Sequence, residues 1–374
     1  MNSDPLTKIL HTLGSLGRIG LEIAVRLDLV RSTGPRYAWL RLREDLVHSR
    51  LRREDVINAL YREIWLDAAR EIGAEVIDLG FGFLEIRTDR SVSRVWNHHV
   101  MLDDAVTLQL ALQKTLVHRL LSSVGIPVPE HAEFDASDLF TPRAFLEQGG
   151  GPCVVKPVAS SGGAGVTSGI CSGSQLMRAT MRAFRTARRL VIERQVPGDF
   201  YRLLFLDGEL LDIVHRQPPR VTGDGKSTIA DLIIAENRRR LDRRREANPI
   251  RLMADLDSVF TLESAGLSLS SVLALGLTVP VKTVVSQNGP QDNETLRDGV
   301  SEELISEAAT AADVIGVRLC GVDLITRDLS VPLRAGAGRI LEVNGTPGLT
   351  YHYDVADRTN ATRVAVPVLR KLLR

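Results

Sequence analysis

Apolar residues recur at helical spacing through LRREDVINALYREIWLDAAREIG, with charges between them, and predict a helix over residues 50–72. Residues 5–30 read the same way. The short apolar runs EVIDLG (75–80), GFLEIRT (82–88) and SRVWNHHV (93–100) predict strands. AVTLQLALQKTLVHRLLSSV (105–124) predicts one amphipathic helix, stopped by Gly125 with Pro127 and Pro129 beyond it. From there the pattern alternates. CVVKPV (153–158) is a strand, SSGGAGV a glycine-rich loop, and SQLMRATMRAFRTARR a helix. LVIERQV (190–196) is a strand, and FYRLLFLDGELLDIVHR (200–216) a hairpin turned at Asp207-Gly208. Residues 227–246 predict a basic helix and 303–316 another, CGVDLIT (320–326) and GRILEVN (338–344) predict strands, and TNATRVAVPVLRKLLR closes the chain as a helix. The fold class is α+β, or mixed α/β.

The chain has 374 residues, 44% apolar and 25% charged, enough for two or three packed units. A net charge of +1 argues against a dedicated nucleic-acid or membrane-surface binder. No apolar stretch is long enough to span a bilayer, and the N-terminus does not read as a signal peptide, so the expected compartment is the cytoplasm. Cys153, Cys171 and Cys320 are too scattered for a disulfide framework or a zinc site. Lysine is scarce: six residues (8, 114, 156, 226, 282, 371) against 41 arginines. A lysine retained in such a chain marks a place where a compact ammonium is wanted, with chance survival the plain alternative near the termini.

Lys156 ends a buried strand and precedes a glycine-rich loop, an arrangement that grips phosphate: the ammonium neutralises the oxygens and the glycines let backbone N–H groups close over them. A flexible hairpin tip is the alternative. GDGKST (223–228) is not a P-loop, because the required earlier glycine is Arg220. Strand alternation puts Glu342 and Asn344 on one face, and Asp323 on a neighbouring strand would complete a set of hard oxygen donors suited to Mg²⁺. The alternative is that these buried polar groups pair with one another or with arginine. Arg202, Arg216, Arg220 and Lys226 form a cation set able to hold a phosphate or carboxylate. RRRLDRRR (238–245) lacks interleaved aromatics and reads as an exposed helix face, with an anionic partner left open.

In chain order, Lys114 on a helix, VVKP with its glycine-rich loop, IERQVPG, YRLLFLDGE, GDGKST, GVDLI and ILEVNGTPG resemble the ATP-grasp superfamily of carboxylate–amine ligases. Residues from about 101 to 374 resemble the ATP-grasp domain of cyanophycin synthetases and related glutathione-synthetase-type ligases, with HRQPPRVTGDGKSTIADLI the specific stretch. The resemblance implies two α+β subdomains clasping ATP, at 101–198 and 199–374, after a small N-terminal α/β domain at 1–100. It implies that Lys114 and Lys156 contact ATP phosphates and that Ser160, Ser161, Gly162, Gly163 and Gly165 belong to the loop closing over them. Glu193 to Val196, with Gln195 between, would form the hinge reading adenine. Asp323, Glu342 and Asn344 would hold Mg²⁺, normally two ions, with Mn²⁺ as the substitute. The family often has an acid two residues after the hinge glycine. That position is Phe200 here, and Asp199 is the nearest acid for ribose.

The implied activity is an ADP-forming ligase that makes an amide through an acyl phosphate, with Arg202, Arg216, Arg220 and Lys226 serving the transferred phosphate. Amino acids or short peptides are the implied substrates, in a secondary-metabolite pathway, without a nucleic-acid or membrane partner and with a homodimer allowed. The chain stops thirty residues after Asn344, so a second, Mur-ligase-like site is not expected, and one amide bond per turnover is. SQNGPQDNET (286–295) and GTPGLTYHYD (345–354) are candidate acceptor loops, with simple turn chemistry as the alternative. Two rival readings are a non-catalytic nucleotide-binding regulatory module on the same scaffold and an RNA-binding protein using residues 238–245.

Overall fold

The computed structural model describes residues 23, 25–48, 53–160, 162–242, 250–336 and 338–374. The helix expected over 5–30 therefore lies mostly outside the described residues. Helices Pro35–His48 and Arg53–Ile72 precede an antiparallel meander of β1 (Glu75–Gly80), β2 (Phe83–Arg87), β3 (Val92–Trp96) and β4 (His99–Val100). Leu84, Ile86 and Val95 alternate inward and bury against Tyr61, Trp65 and Ala68 of the second helix. The strand expected over 93–100 is two strands, because Asn97 takes a left-handed φ of 52° and turns the chain.

The next sheet holds β5 (His131–Asp135), β6 (Cys153–Pro157), β7 (Thr167–Ile170) and β8 (Arg189–Arg194), in the order β5-β8-β6-β7. Cys153, Val155, Leu190 and Ile192 bury under helix Gly173–Phe184, which Ser172 caps by accepting from Gln175 N. Phe260 and Val259 of helix Leu256–Ser264 join the same core. The chain thus returns to this sheet from beyond the partition expected at 198/199.

β9 (Asp199–Leu206) and β10 (Glu209–Arg216) form the expected hairpin. Asp207 and Gly208 both have positive φ, 49° and 80°, as a two-residue turn between twisted strands requires. β11 (Arg220–Thr222) and β12 (Thr278–Pro280) make a separate ribbon. With β13 (Asn293–Leu296), β14 (Leu319–Thr326) and β15 (Gly338–Asn344), the hairpin builds a five-stranded sheet in the order β13-β10-β9-β14-β15. One face carries Leu203, Phe205, Val322, Leu324 and Val343 and buries on helices Lys114–Ser123 and Glu302–Ile315. On the other face, Leu204, Leu206 and Leu319 pack under the N-terminal helix and meander.

The single helix expected over 105–124 is broken into Ala105–Ala111 and Lys114–Ser123. Lys114 N donates to Val158 O at 3.3 Å instead of to a helical carbonyl, so the second helix starts where β6 ends. Periodicity cannot see this tertiary acceptor. The basic helix runs Ile229–Asp242, and the closing helix is confined to Ala365–Leu372. Among the described residues no helix is long and apolar enough to cross a membrane.

Candidate active site

Register decides what the polar face of the large sheet presents. Asp323 on β14 stands opposite Arg202 on β9 and Glu342 on β15, so the three side chains form one row across three strands. Gly321 pairs with Asn344, two positions along the same face. Arg202 grips Asp323 at two points, Nε to Oδ1 and Nη2 to Oδ2, both 2.6 Å. Asn344 Nδ2 adds a bond to Asp323 Oδ2 at 3.0 Å. Burial works against the Arg202 charge, but the Asp323 carboxylate outweighs it and the Arg202 pKa stands above its ordinary value.

Both lysines of the expected phosphate grip reach this region. Lys114 Nζ lies 3.3 Å from Glu342 Oε2 and donates to Ser160 O at 2.7 Å, which ties the glycine-rich loop to the large sheet. Lys156, also buried, lies 2.7 Å from Glu193 Oε2 and donates to Oε1 at 2.8 Å. Burial pushes the Glu342 carboxyl upward, yet Lys114, Lys156 and Arg202 outweigh it and hold Glu342 below the ordinary glutamate range. Gly163, with φ of 72°, packs so closely on Ser286 that a Cβ there would come within 2.4 Å of its Oγ. Ser161 lies outside the described residues.

Arg216 is the sharpest electrostatic feature. It is 3% exposed, and among the described residues no carboxylate pairs with it. Its Nη2 donates to Val285 O at 3.2 Å and Asn288 Oδ1 at 3.4 Å, and its buried Nε has no hydrogen-bond partner among the described residues. Tyr351 lies 4.1 Å beneath the guanidinium and Phe200 5.6 Å from it. Burial draws its pKa down. Both loops expected near the acceptor thus converge here, 286–295 through Asn288 and 345–354 through Tyr351.

Several expected site residues are elsewhere. Lys226 sits exposed on a turn where Asp224 Oδ1 accepts its backbone N–H at 3.0 Å, and no contact among the described residues joins its ammonium to Lys114, Lys156 or Glu342. GDGKST instead starts helix Ile229–Asp242: Asp224 also accepts from Ser227 N, and Asp231 from the Thr228 hydroxyl. Arg220 is spent on Asp292 at 3.5 Å. Asp199 falls on the opposite face of β9 from Arg202, with His215 Nε2 3.9 Å away. The hinge is partly committed: Arg194 N donates to Glu130 O, Gln195 N to Pro152 O, and Gln195 Oε1 accepts from Gly169 N. Val196 is half-buried beside them. In the basic run, Arg239 and Arg240 both pair with Glu236, at 2.6 and 2.8 Å, and residues 243–245 lie outside the described residues.

The donor set fits a hard cation in part. Glu342, and the Oδ1 of Asn344 whose Nδ2 is the donor, are oxygen ligands of the right kind. Asp323 meets the expectation only on release from Arg202, which now holds both its oxygens.

Sequence reasoning missed three buried groups. Lys282 Nζ meets Asp255 Oδ2 at 2.6 Å, and Arg182 shares that oxygen at the same distance. Asp257 accepts from Ser168, Thr283 and Val284 backbone N–H groups and so clamps β7 to the 283–284 segment. His118, one helical turn after Lys114, is fully buried with Nε2 on Leu341 O at 2.8 Å. The lysine scarcity was the available signal for Lys282.

No family model matches the chain. A cyanophycin synthetase of Synechocystis sp. is 31% identical over 303 residues, 79% of this chain and 33% of that protein. A glutathione biosynthesis bifunctional protein of Enterococcus faecalis is 29% identical over 310 residues, 80% of this chain and 40% of that protein. The solved structure of a bifunctional glutathione synthetase from Pasteurella multocida matches with a TM-score of 0.53 at 22% identity, over 83% of this chain and 42% of that one, and shows a shared fold. The chain spans 33% and 40% of the length of these two curated relatives.

Proposed function

Since the chain is an ATP-grasp protein related in sequence to cyanophycin and glutathione synthetases, we propose that it joins a carboxylate to an amine, using ATP and releasing ADP and phosphate. The observation that carries this reading is Arg216. A buried guanidinium with no carboxylate at salt-bridge distance among the described residues is costly to maintain, and an anionic ligand on the same face as Glu342 and Asn344 supplies the missing contact.

A substrate carboxylate oxygen attacks the γ-phosphorus of ATP, the bond to the β,γ-bridging oxygen breaks, and ADP leaves. The amine nitrogen then attacks the acyl carbon. The carbon–oxygen bond to phosphate breaks with its electron pair, and the nitrogen loses a proton. Lys114 and Lys156 neutralise phosphate oxygens, exchanging their present carboxylate partners for the nucleotide. Loop 160–165 covers the acyl phosphate against water. Arg216, with Arg202 beside it over the same Tyr351 ring, holds the oxygens that become negative in both steps. Glu342, Asn344 and, once released, Asp323 would hold Mg²⁺, which when bound offsets the charge of the triphosphate. The backbone of Glu193 to Val196 receives adenine. Amino acids or short peptides are the substrate class, and the cytoplasm the compartment.

The test is a coupled ADP-release screen over pairs of amino acids and dipeptides, with mass detection of product. A product heavier than the acid by the amine less water is expected, with release abolished in Glu342→Ala and Arg216→Gln. Turnover retained in either variant, or no ADP release from any pair, would overturn the proposal.

A further inference from the structure

A cavity of about 300 Å³ lies at the seam between helix Arg53–Ile72 and the chain from 350 to 366. It sits behind the short turn Leu349–His352: Tyr351 faces Arg216, while Thr350 and Tyr353 line the cavity. This size suits a small ligand. Its walls carry both signs of charge. Glu63 and Asp67, one helical turn apart, stand on one wall, and Arg358 and Arg363 on the other. The lining charges already have partners that a ligand would exchange: Arg363 pairs with Glu71 at 2.7 Å, Arg358 at 3.6 Å with Asp354, which itself lines the cavity, and Asp67 with Arg70 at 2.7 Å.

The geometry points to a binding site for a free α-amino acid, taken as the zwitterion, with its carboxylate toward Arg358 and Arg363 and its ammonium toward Glu63 and Asp67. A simple anion would be opposed by the carboxylates and a simple amine by the guanidiniums. A ligand that carries an ammonium and a carboxylate on one carbon answers both walls. The site is separate from the nucleotide face and independent of the ligase reading. Its occupant presses on Thr350 and Tyr353, and so on the turn that sets Tyr351 under Arg216.

The full chain, without ATP, is titrated with L-serine, L-lysine and L-glutamate, and with acetate and ethylamine as single-charge probes, by calorimetry and thermal unfolding. At least one amino acid binds and raises the unfolding midpoint, and neither single-charge probe does. The double variant Glu63→Gln/Asp67→Asn and the variant Arg363→Gln each weaken that binding about tenfold or more, the loss of a charged contact. These side chains are exposed, so the fold survives the changes. Glu342→Ala, altered at the nucleotide face, binds as before. The proposal is overturned if no amino acid binds, if binding survives both cavity variants, if acetate or ethylamine binds as tightly, or if Glu342→Ala abolishes it.

Discussion

Asp323 and Arg202 face each other across β14 and β9 and meet at two points of 2.6 Å, in a region where neither is exposed to more than a tenth of its surface. Removing one partner leaves the other charge buried without its ion pair. Arg202→Gln should lower stability to urea by about 3 kcal/mol, whereas the double variant Arg202→Gln/Asp323→Asn should lose less than the sum of the single changes. Additive losses would mean that the pair is not coupled.

Lys156 and Lys226 both fall in motifs of the resemblance, but only Lys156 is buried with a carboxylate partner. Lys156→Ala should weaken ATP binding about tenfold or more, and Lys226→Ala should leave it unchanged. Calorimetric titration separates the two. Equal losses would restore Lys226 to the site.

His118 is held neutral. Burial, and then the Lys156 charge, bring its pKa from 6.5 down to about 3. Between those values the unfolded chain binds a proton that the folded chain refuses. The stability due to neutral His118 is therefore complete above pH 6.5 and is lost as pH falls toward 3. At pH 5 the loss is about 2 kcal/mol. His118→Gln, which keeps a donor for Leu341 O, should lose about 2 kcal/mol less than the parent between pH 7 and pH 5 in denaturant titrations.

Gly198 joins the hinge to β9 with φ of 132°, and a Cβ there would come within 2.4 Å of the Thr326 backbone. Backbone cannot step aside as a side chain can. Gly198→Ala should cost about 2–4 kcal/mol, read as a fall in the urea midpoint.

Local pattern makes β15, the Asp207-Gly208 hairpin and the shared face of Glu342 and Asn344 legible, because alternation and turn chemistry are properties of adjacent residues. Lys156 is legible for the same reason, since strand and loop adjoin it in sequence. What pairs with what is not. Nothing near Asp323 announces Arg202, and nothing near Lys114 announces the Val158 carbonyl that breaks its helix. GDGKST misleads for the opposite reason: its motif is intact, but its side chains are occupied in starting a helix. Tyr351 lies in a segment expected near the acceptor, yet its ring under Arg216 follows from the turn at 349–352.

The N-terminal helix and meander rest on Leu204, Leu206, Leu319 and Leu349, leucines of the large sheet and of the turn that follows it. Excision at residue 101 would therefore uncover a greasy strip beside the polar row, and the shortened fragment would be sticky rather than soluble. Residues 53–100 therefore roof one face of the large sheet, and a fragment border drawn from the nucleotide motifs alone would cut through a packed core.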